Sequence, residues 1–261
     1  MSEIVNVETM GHVALVELNR PSTMNAFDGQ LRHMLAETLA DLARDQTVNV
    51  LVLTGAGKAF SSGSDLKSAA TTERTPRSTA LTLLHDFGPI VETISRMDKL
   101  VIAAVNGPAA GVGMSLALAC DLMIIAKGAY LLSPFTAIGL VPDGGLLWFL
   151  IRRLGCMRAL EVVLEGQRLS AERCVELGVA NRMCEAENLR SEALAWAQAF
   201  AAKAPLAAAH TKRLARFAVT GALSDSMILE AELQNVCAGT EDAREAINAF
   251  LEKRSPSFKG R

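Results

Sequence analysis

Two apolar, β-rich runs, Val48–Thr54 and Leu100–Val105, each give way to a glycine-containing segment and then to a helix start. The first segment is Phe60-Ser61-Ser62-Gly63-Ser64-Asp65-Leu66; the second is Asn106-Gly107-Pro108-Ala109-Ala110-Gly111-Val112-Gly113-Met114. A strand, a glycine break and a helix, repeated in one chain, predict an α/β fold. Such a junction leaves backbone N–H groups without intrahelical partners, at the positive end of the peptide dipoles. One such end attracts any anion. Two converging on one point can hold a carbonyl oxygen while it takes up negative charge, which is the task of an oxyanion hole.

A chain of 261 residues can bury a large core. Its 50% hydrophobic and 21% charged content is that of a soluble globular protein. Abundant alanine favours closely packed helices and subunit interfaces. A net charge of −2 gives no electrostatic case for nucleic acid or an anionic membrane. The five cysteines are scattered and odd in number, without a C-x-x-C, and read as reduced thiols. The N-terminus lacks the layout of a signal peptide, and no run of about 18 apolar residues exists to span a bilayer. The expected location is the cytoplasm.

Strands are predicted at Val13–Leu18, Val48–Thr54, Val101–Val105, Leu122–Ala126 and Tyr130–Leu132. Asp28 is placed to cap a helix from Gly29 to Ala43, with Leu31, Leu35, Leu39 and Leu42 on one face. The polar stretch Ser68–Ser78 is predicted to be the most mobile segment. Helices are predicted over Leu81–Met97, Met114–Cys120 and Leu146–Leu154, and nearly throughout from Arg158 onward. Ser170, Ser224 and Thr240 are the expected N-caps there. The shift from mixed α/β to all-helix divides the chain into a core, residues 1–200, and a helical C-terminal module, residues 201–261.

Several familiar motifs fail on spacing. Gly55-Ala56-Gly57-Lys58 has Val52 where a phosphate-binding loop needs its first glycine, and Phe60 where a dinucleotide fingerprint needs its third. Ser61, Ser62 and Ser64 lack the elbow of a serine hydrolase. His12, His33, His85 and His210 never fall at metal-ligand spacing, so no metal is expected. Asp65 reads as a carboxylate that holds its loop in shape. Asp143, in Gly139-Leu-Val-Pro-Asp-Gly-Gly145, admits two readings. It is either the N-cap of helix 146–154 or a carboxylate whose pKa is raised by apolar surroundings, suited to carry a proton.

Leu18-Asn19-Arg20-Pro21 with Asn25-Ala26, both glycine segments, and Cys120-Asp121 together resemble the crotonase, or enoyl-CoA hydratase/isomerase, family. Gly166-Gln-Arg-Leu-Ser-Ala171, Leu177-Gly-Val-Ala180, Phe250-Leu-Glu-Lys-Arg254 and Phe258-Lys259 extend the resemblance over nearly the whole chain. It implies a spiral of ββα units followed by a helical trimerisation module, assembled as a homotrimer or a dimer of trimers. It also implies an acyl-CoA thioester substrate with no separate cofactor. By position, the thioester oxygen would be held by the N–H groups of Ser64 and Val112. Main-chain groups of Ser62, Ser64 and Leu66 would lie along CoA, and Phe250 and Lys253 match C-terminal positions that contact it, often from a neighbouring subunit.

The catalytic acids are where the chain departs from the family's hydratases. Their two glutamates fall at Ser115 and Phe135, neither of which can activate water or protonate a carbon. Asp143 aligns with the single acid of the family's Δ3,Δ2-enoyl-CoA isomerases and of ring-modifying isomerases of phenylacetate catabolism. A single carboxylate suffices to move a double bond, so the resemblance points to an enoyl-CoA isomerase. The alternatives are a hydratase with atypical residues and a non-catalytic acyl-CoA binder. A dehalogenase is disfavoured because Gly88 and Phe135 stand where its His and Trp belong, and an RNA-binding role lacks a basic stripe.

Overall fold

The computed structural model describes residues 4–65 and 76–261, so Leu66 and most of the 68–78 stretch lie outside the described residues. Nine strands are seen among them: β1 (Val5–Met10), β2 (Val13–Leu18), β3 (Val50–Gly55), β4 (Leu100–Val105), β5 (Ala109–Ala110), β6 (Leu122–Ala126), β7 (Tyr130–Leu132), β8 (Leu169–Ser170) and β9 (Arg182–Cys184). Six form one sheet in the order β1-β2-β3-β4-β6-β9, antiparallel only in the β1–β2 hairpin and parallel elsewhere. Every residue of β3 is buried, as expected of a strand covered on both faces of a parallel sheet. The other three form a small second sheet, β5-β7-β8.

The first helix, α1 (Gly29–Arg44), begins as the sequence predicts: the Asp28 carboxylate accepts from Leu31 N–H at 2.8 Å, and Leu31, Leu35, Leu39 and Leu42 are buried. The predicted helix 81–97 is a longer helical run: α2 (Pro76–Thr82), a wide five-residue turn at Leu83–Phe87, and α3 (Gly88–Arg96). Next comes α4 (Val112–Ala119), buried on all sides, which explains why it has no polar face. Then follow α5 (Leu146–Leu154), α6 (Cys156–Glu165), α7 (Ala171–Glu176) and α8 (Leu189–Ala201).

Three helices complete the chain: α9 (Pro205–Ala218), α10 (Leu223–Ala238) and α11 (Glu241–Glu252). Ser170 and Thr240 cap as predicted, accepting from Arg173 N–H at 3.3 Å and Ala243 N–H at 3.0 Å. Ser224 does not. The helix starts two residues earlier than that cap requires, so the extended Ala222 is its N-cap and Ser224 lies inside the first turn. The five cysteines are unpaired, and three of them, Cys120, Cys174 and Cys184, are buried. No described helix is long and apolar enough to cross a membrane.

One charged cluster ties the C-terminal helices to the core. The Lys212 ammonium of α9, almost fully buried, donates to the Asp121 carboxylate and to the carbonyls of Ile94 and Lys99, each at 2.8 Å. Asp121 also accepts from Arg216 at 2.8 Å and from Val101 N–H at 2.9 Å. Removing one member of a buried ion pair leaves its partner desolvated and uncompensated. Lys212→Met should therefore lower the unfolding free energy by about 3 kcal/mol, measured by urea denaturation. A loss below about 0.5 kcal/mol, the range of ordinary surface substitutions, would show that apolar packing alone docks α9.

Candidate active site

The first glycine segment is held by residues that flank it from the β2–α1 connection. Asn25 is fully buried, and its Nδ2 donates to the carbonyls of Ala56, at 3.0 Å, and Ala59, at 2.7 Å. Its Oδ1 accepts from Arg20 N–H at 2.8 Å, and its carbonyl accepts from the Ser61 hydroxyl at 2.8 Å. The Arg20 guanidinium pairs with Asp28 at 2.9 Å and with Asp65 at 3.4 Å. Asp65 thus has the loop-holding contact read from the sequence, and its N–H donates to the Phe27 carbonyl at 3.0 Å.

The second segment is laid directly against the first. Ser61 N–H donates to the Pro108 carbonyl at 3.1 Å, and Ala110 N–H returns a bond to the Ser61 carbonyl at 2.9 Å. Asn106 links the loops again, donating to the Gly57 carbonyl at 3.0 Å and accepting from Gly55 N–H at 3.3 Å. A Cβ on Gly63 would fall 2.8 Å from the Ala110 oxygen and 3.6 Å from Gly111 Cα. The residues just before Ser64 and Val112 are therefore in van der Waals contact. Gly111, at φ 54° and ψ −127°, holds a conformation open essentially to glycine alone, and this sets the entry angle of α4.

The bonding pattern along both loops leaves two gaps. Ser61, Ser62, Gly63 and Asp65 each donate their N–H within the protein, and Gly111 N–H donates to the Leu132 carbonyl at 3.0 Å. Among the described residues, no partner is found for the N–H of Ser64 or of Val112, the first residue of α4. Both residues line a cavity of about 250 Å³, together with Ser62, Gly63, Phe135 and Asp143. The walls are mainly apolar, with Phe27, Leu83 and Phe87 on the α1 side and Ile138 and Leu140 near the 134–143 segment.

Asp143 resolves the two readings left open by the sequence. Gly145 is the N-cap of α5, with no side-chain capping bond, so the Asp143 carboxylate does not cap that helix. Its Oδ1 is buried without a hydrogen-bond partner among the described residues. Desolvation raises its pKa to about 6, opposed by a smaller contribution from its own N–H. The surrounding turn is held through its main chain: the buried Ser115 hydroxyl donates to the Asp143 carbonyl at 2.8 Å, and Leu146 N–H donates to it at 3.1 Å. A Cβ on Gly144, at φ 57°, would approach Ser115 Cβ to 2.9 Å, so the turn lies directly on that serine.

Four of the residues named from the sequence, Ser62, Ser64, Val112 and Asp143, thus meet at one cavity. Phe135 is also there, while Ser115 lies buried beneath the Asp143 turn. Leu66 lies outside the described residues. The single chain does not bring Phe250 or Lys253 to the cavity. Phe250 is 82% exposed on α11, and Lys253 ends that helix in a left-handed conformation.

Residues 8–261 match the family model for enoyl-CoA hydratase/isomerase. The chain belongs to that family. It is 35% identical to the 1,2-epoxyphenylacetyl-CoA isomerase of Escherichia coli, with all of both chains covered. It is 34% identical to the 2,3-dehydroadipyl-CoA hydratase of the same organism, again over the whole of both chains. Among solved structures, the enoyl-CoA hydratase of Bacillus anthracis superposes with a TM-score of 0.95 at 30% identity, covering 99% of this chain and 100% of the other. The crotonase fold expected from the sequence is therefore present, and the chain is an acyl-CoA enzyme of the hydratase/isomerase family.

The raised pKa of Asp143 has a consequence for stability. Between its ordinary pKa of 3.8 and about 6 the folded state holds a proton that the unfolded state has released. The stabilisation from this group is fully present below the lower value and is lost as pH rises through the upper one. Asp143→Asn removes that penalty. The variant should gain melting temperature over the natural protein as pH rises from 4 to about 6, with the gain level above. Equal melting temperatures for the two at pH 4.5 and pH 8 would contradict a desolvated carboxylate.

Proposed function

We propose that this family member is an enoyl-CoA isomerase that converts a Δ3-enoyl-CoA thioester to the Δ2 isomer. The Asp143 carboxylate removes a proton from C2, and the electron pair delocalises over the C3–C4 double bond and the thioester carbonyl as a dienolate. Its oxygen is received by the N–H groups of Ser64 and Val112, each worth about 3 kcal/mol to the barrier. The same carboxyl then returns the proton to C4, leaving the double bond between C2 and C3. No water is consumed. Main-chain groups of Ser62 and Ser64 lie along CoA, the expected contact of Leu66 falls outside the described residues, and Phe250 and Lys253 reach CoA from a neighbouring subunit.

The observation that carries this reading is the half-buried Asp143 carboxylate, whose Oδ1 has no hydrogen-bond partner, in the cavity that also holds two unbonded main-chain N–H groups. With Ser115 and Phe135 at the positions of the hydratase glutamates, Asp143 is the one acid assigned here, where addition of water needs both a base and an acid. The relative named as an isomerase supports the choice. The relative named as a hydratase supports the alternative, addition of water by atypical residues. The C-terminal residues 201–261 are read as an assembly module for a homotrimer or a dimer of trimers. Leu223, Met227 and Ile228 on α10 and Ile247, Phe250 and Leu251 on α11 are all more than half exposed in the single chain, from 59% for Met227 to 82% for Phe250.

Two assays separate the readings. With 3-hexenoyl-CoA, Asp143→Asn should lower kcat by about 10²–10⁴-fold, and crotonyl-CoA should be hydrated slowly by the natural protein. Rapid hydration of crotonyl-CoA by the Asn variant would overturn the assignment. The carboxylate is the active form for the first proton transfer. The isomerase kcat/KM should therefore fall about tenfold per pH unit below about 6, and a profile flat to pH 4.5 would contradict Asp143 as the base.

A further inference from the structure

One charged side chain on the cavity wall has no part in the chemistry above. Arg32 lies on the wall built by α1 and the wide turn 83–87, which carries neither Asp143 nor the two N–H donors. Its side chain is only 19% exposed, and its guanidinium carbon is 5.4 Å from the centroid of the Phe87 ring. It makes one ion pair, through Nε, with Asp86 at 3.1 Å; Asp86 is 43% exposed and does not line the cavity. A guanidinium has five N–H donors. The four on its terminal nitrogens have no partner among the described residues.

The Nη2 atom of Arg32 lies 3.7 Å from where a Cβ on Gly29 would stand, at the N-terminal end of α1. Here the monodentate contact through Nε leaves the terminal fork, the part that binds carboxylates bidentately, unengaged. No ion pair joins Arg32 to Asp143, so the cation is not a brake on the base. The cavity lining contributed by α1, its flank and the 76–87 run includes Phe27, Leu83 and Phe87, which receive hydrocarbon, together with Thr79 and Thr82. A wall with aromatic and aliphatic surface and one incompletely satisfied cation fits an apolar chain that ends in an anion.

We propose that Arg32 is the receptor for a second carboxylate on the acyl group, so that the preferred substrates are CoA thioesters of dicarboxylic acids. This rests on the reading of the cavity as an acyl-CoA site. Specificity follows from incomplete satisfaction: a chain ending in a methyl group leaves the terminal fork of a guanidinium already paired with Asp86 unengaged, whereas a carboxylate completes it. Anionic oxygens also occur on the phosphates of CoA, and the test separates that source from the acyl carboxylate.

The test compares equilibrium binding of adipoyl-CoA and hexanoyl-CoA, six-carbon esters that differ only in a terminal carboxylate or methyl group. The natural protein should bind adipoyl-CoA about 10- to 100-fold more tightly. Arg32→Met should abolish that ratio while leaving hexanoyl-CoA affinity within about threefold, a change of less than one charged hydrogen bond. Asp86→Asn, which frees the guanidinium without removing it, should keep or widen the ratio. Equal affinities in the natural protein, a ratio unchanged by Arg32→Met, or collapse of the ratio in Asp86→Asn would overturn the proposal. Equal weakening of both esters and of free CoA by Arg32→Met would assign the cation to a CoA phosphate instead. Both esters are saturated, so isomerisation does not enter. Loss of the isomerase reading with the ratio intact, or the reverse, would therefore be told apart.

Discussion

The site depends on how closely two backbone segments can approach. Strands β3 and β4 are neighbours in a parallel sheet, so the loops that leave their ends emerge side by side. Reciprocal hydrogen bonds between Ser61 and the 108–110 segment hold the loops together, and contact between Gly63 and Gly111 permits that spacing. With their neighbours' N–H groups consumed by this pairing, the N–H groups of Ser64 and Val112 are left over. An unpaired main-chain donor is costly when buried. The protein retains two of them beside one cavity, and a thioester oxygen is the acceptor that would complete them.

The second constraint is desolvation. Asp143 sits on a turn that has two glycines and packs on Ser115, so the main chain is fixed while the carboxylate has no more than the small contribution of its own N–H and its Oδ1 has no partner. Hydrogen bonds to the carboxylate would have lowered its pKa and made it a poorer proton carrier. Bonding the carbonyl of the same residue positions the group without stabilising its charge. Ser115 therefore has a physical role at the position where the family's hydratases place a glutamate. A longer side chain there would meet Gly144, since even a Cβ on Gly144 comes within 2.9 Å of Ser115 Cβ.

Much of this was legible in the sequence because it is local. Asp28 caps α1 three residues away, and the leucine spacing of α1 reports its buried face. The two glycine segments announce themselves by following apolar runs. Other features join residues far apart, and no periodicity reports them. Ser115 and Asp143 are separated by 28 positions, and Lys212 reaches the Ile94 carbonyl across 118. Arg20 and Asn25 stood out only as part of a family pattern, while the structure gives the reason: a buried amide and a guanidinium hold the first loop. Arg32 carries no signal of its own in the sequence, because its ion-pair partner Asp86 is 54 positions away. Asp143 as a helix cap was a fair reading that failed because Gly145, in a left-handed conformation, occupies that place.

The central claim is geometric, and a structure of the protein with a bound 3-enoyl-CoA analogue tests it most directly. The thioester oxygen is predicted to lie about 2.7–3.1 Å from the nitrogens of both Ser64 and Val112, with an Asp143 carboxylate oxygen against C2 and C4 of the acyl chain. A thioester oxygen bound elsewhere, or an Asp143 carboxylate turned away from the acyl carbons, would contradict it.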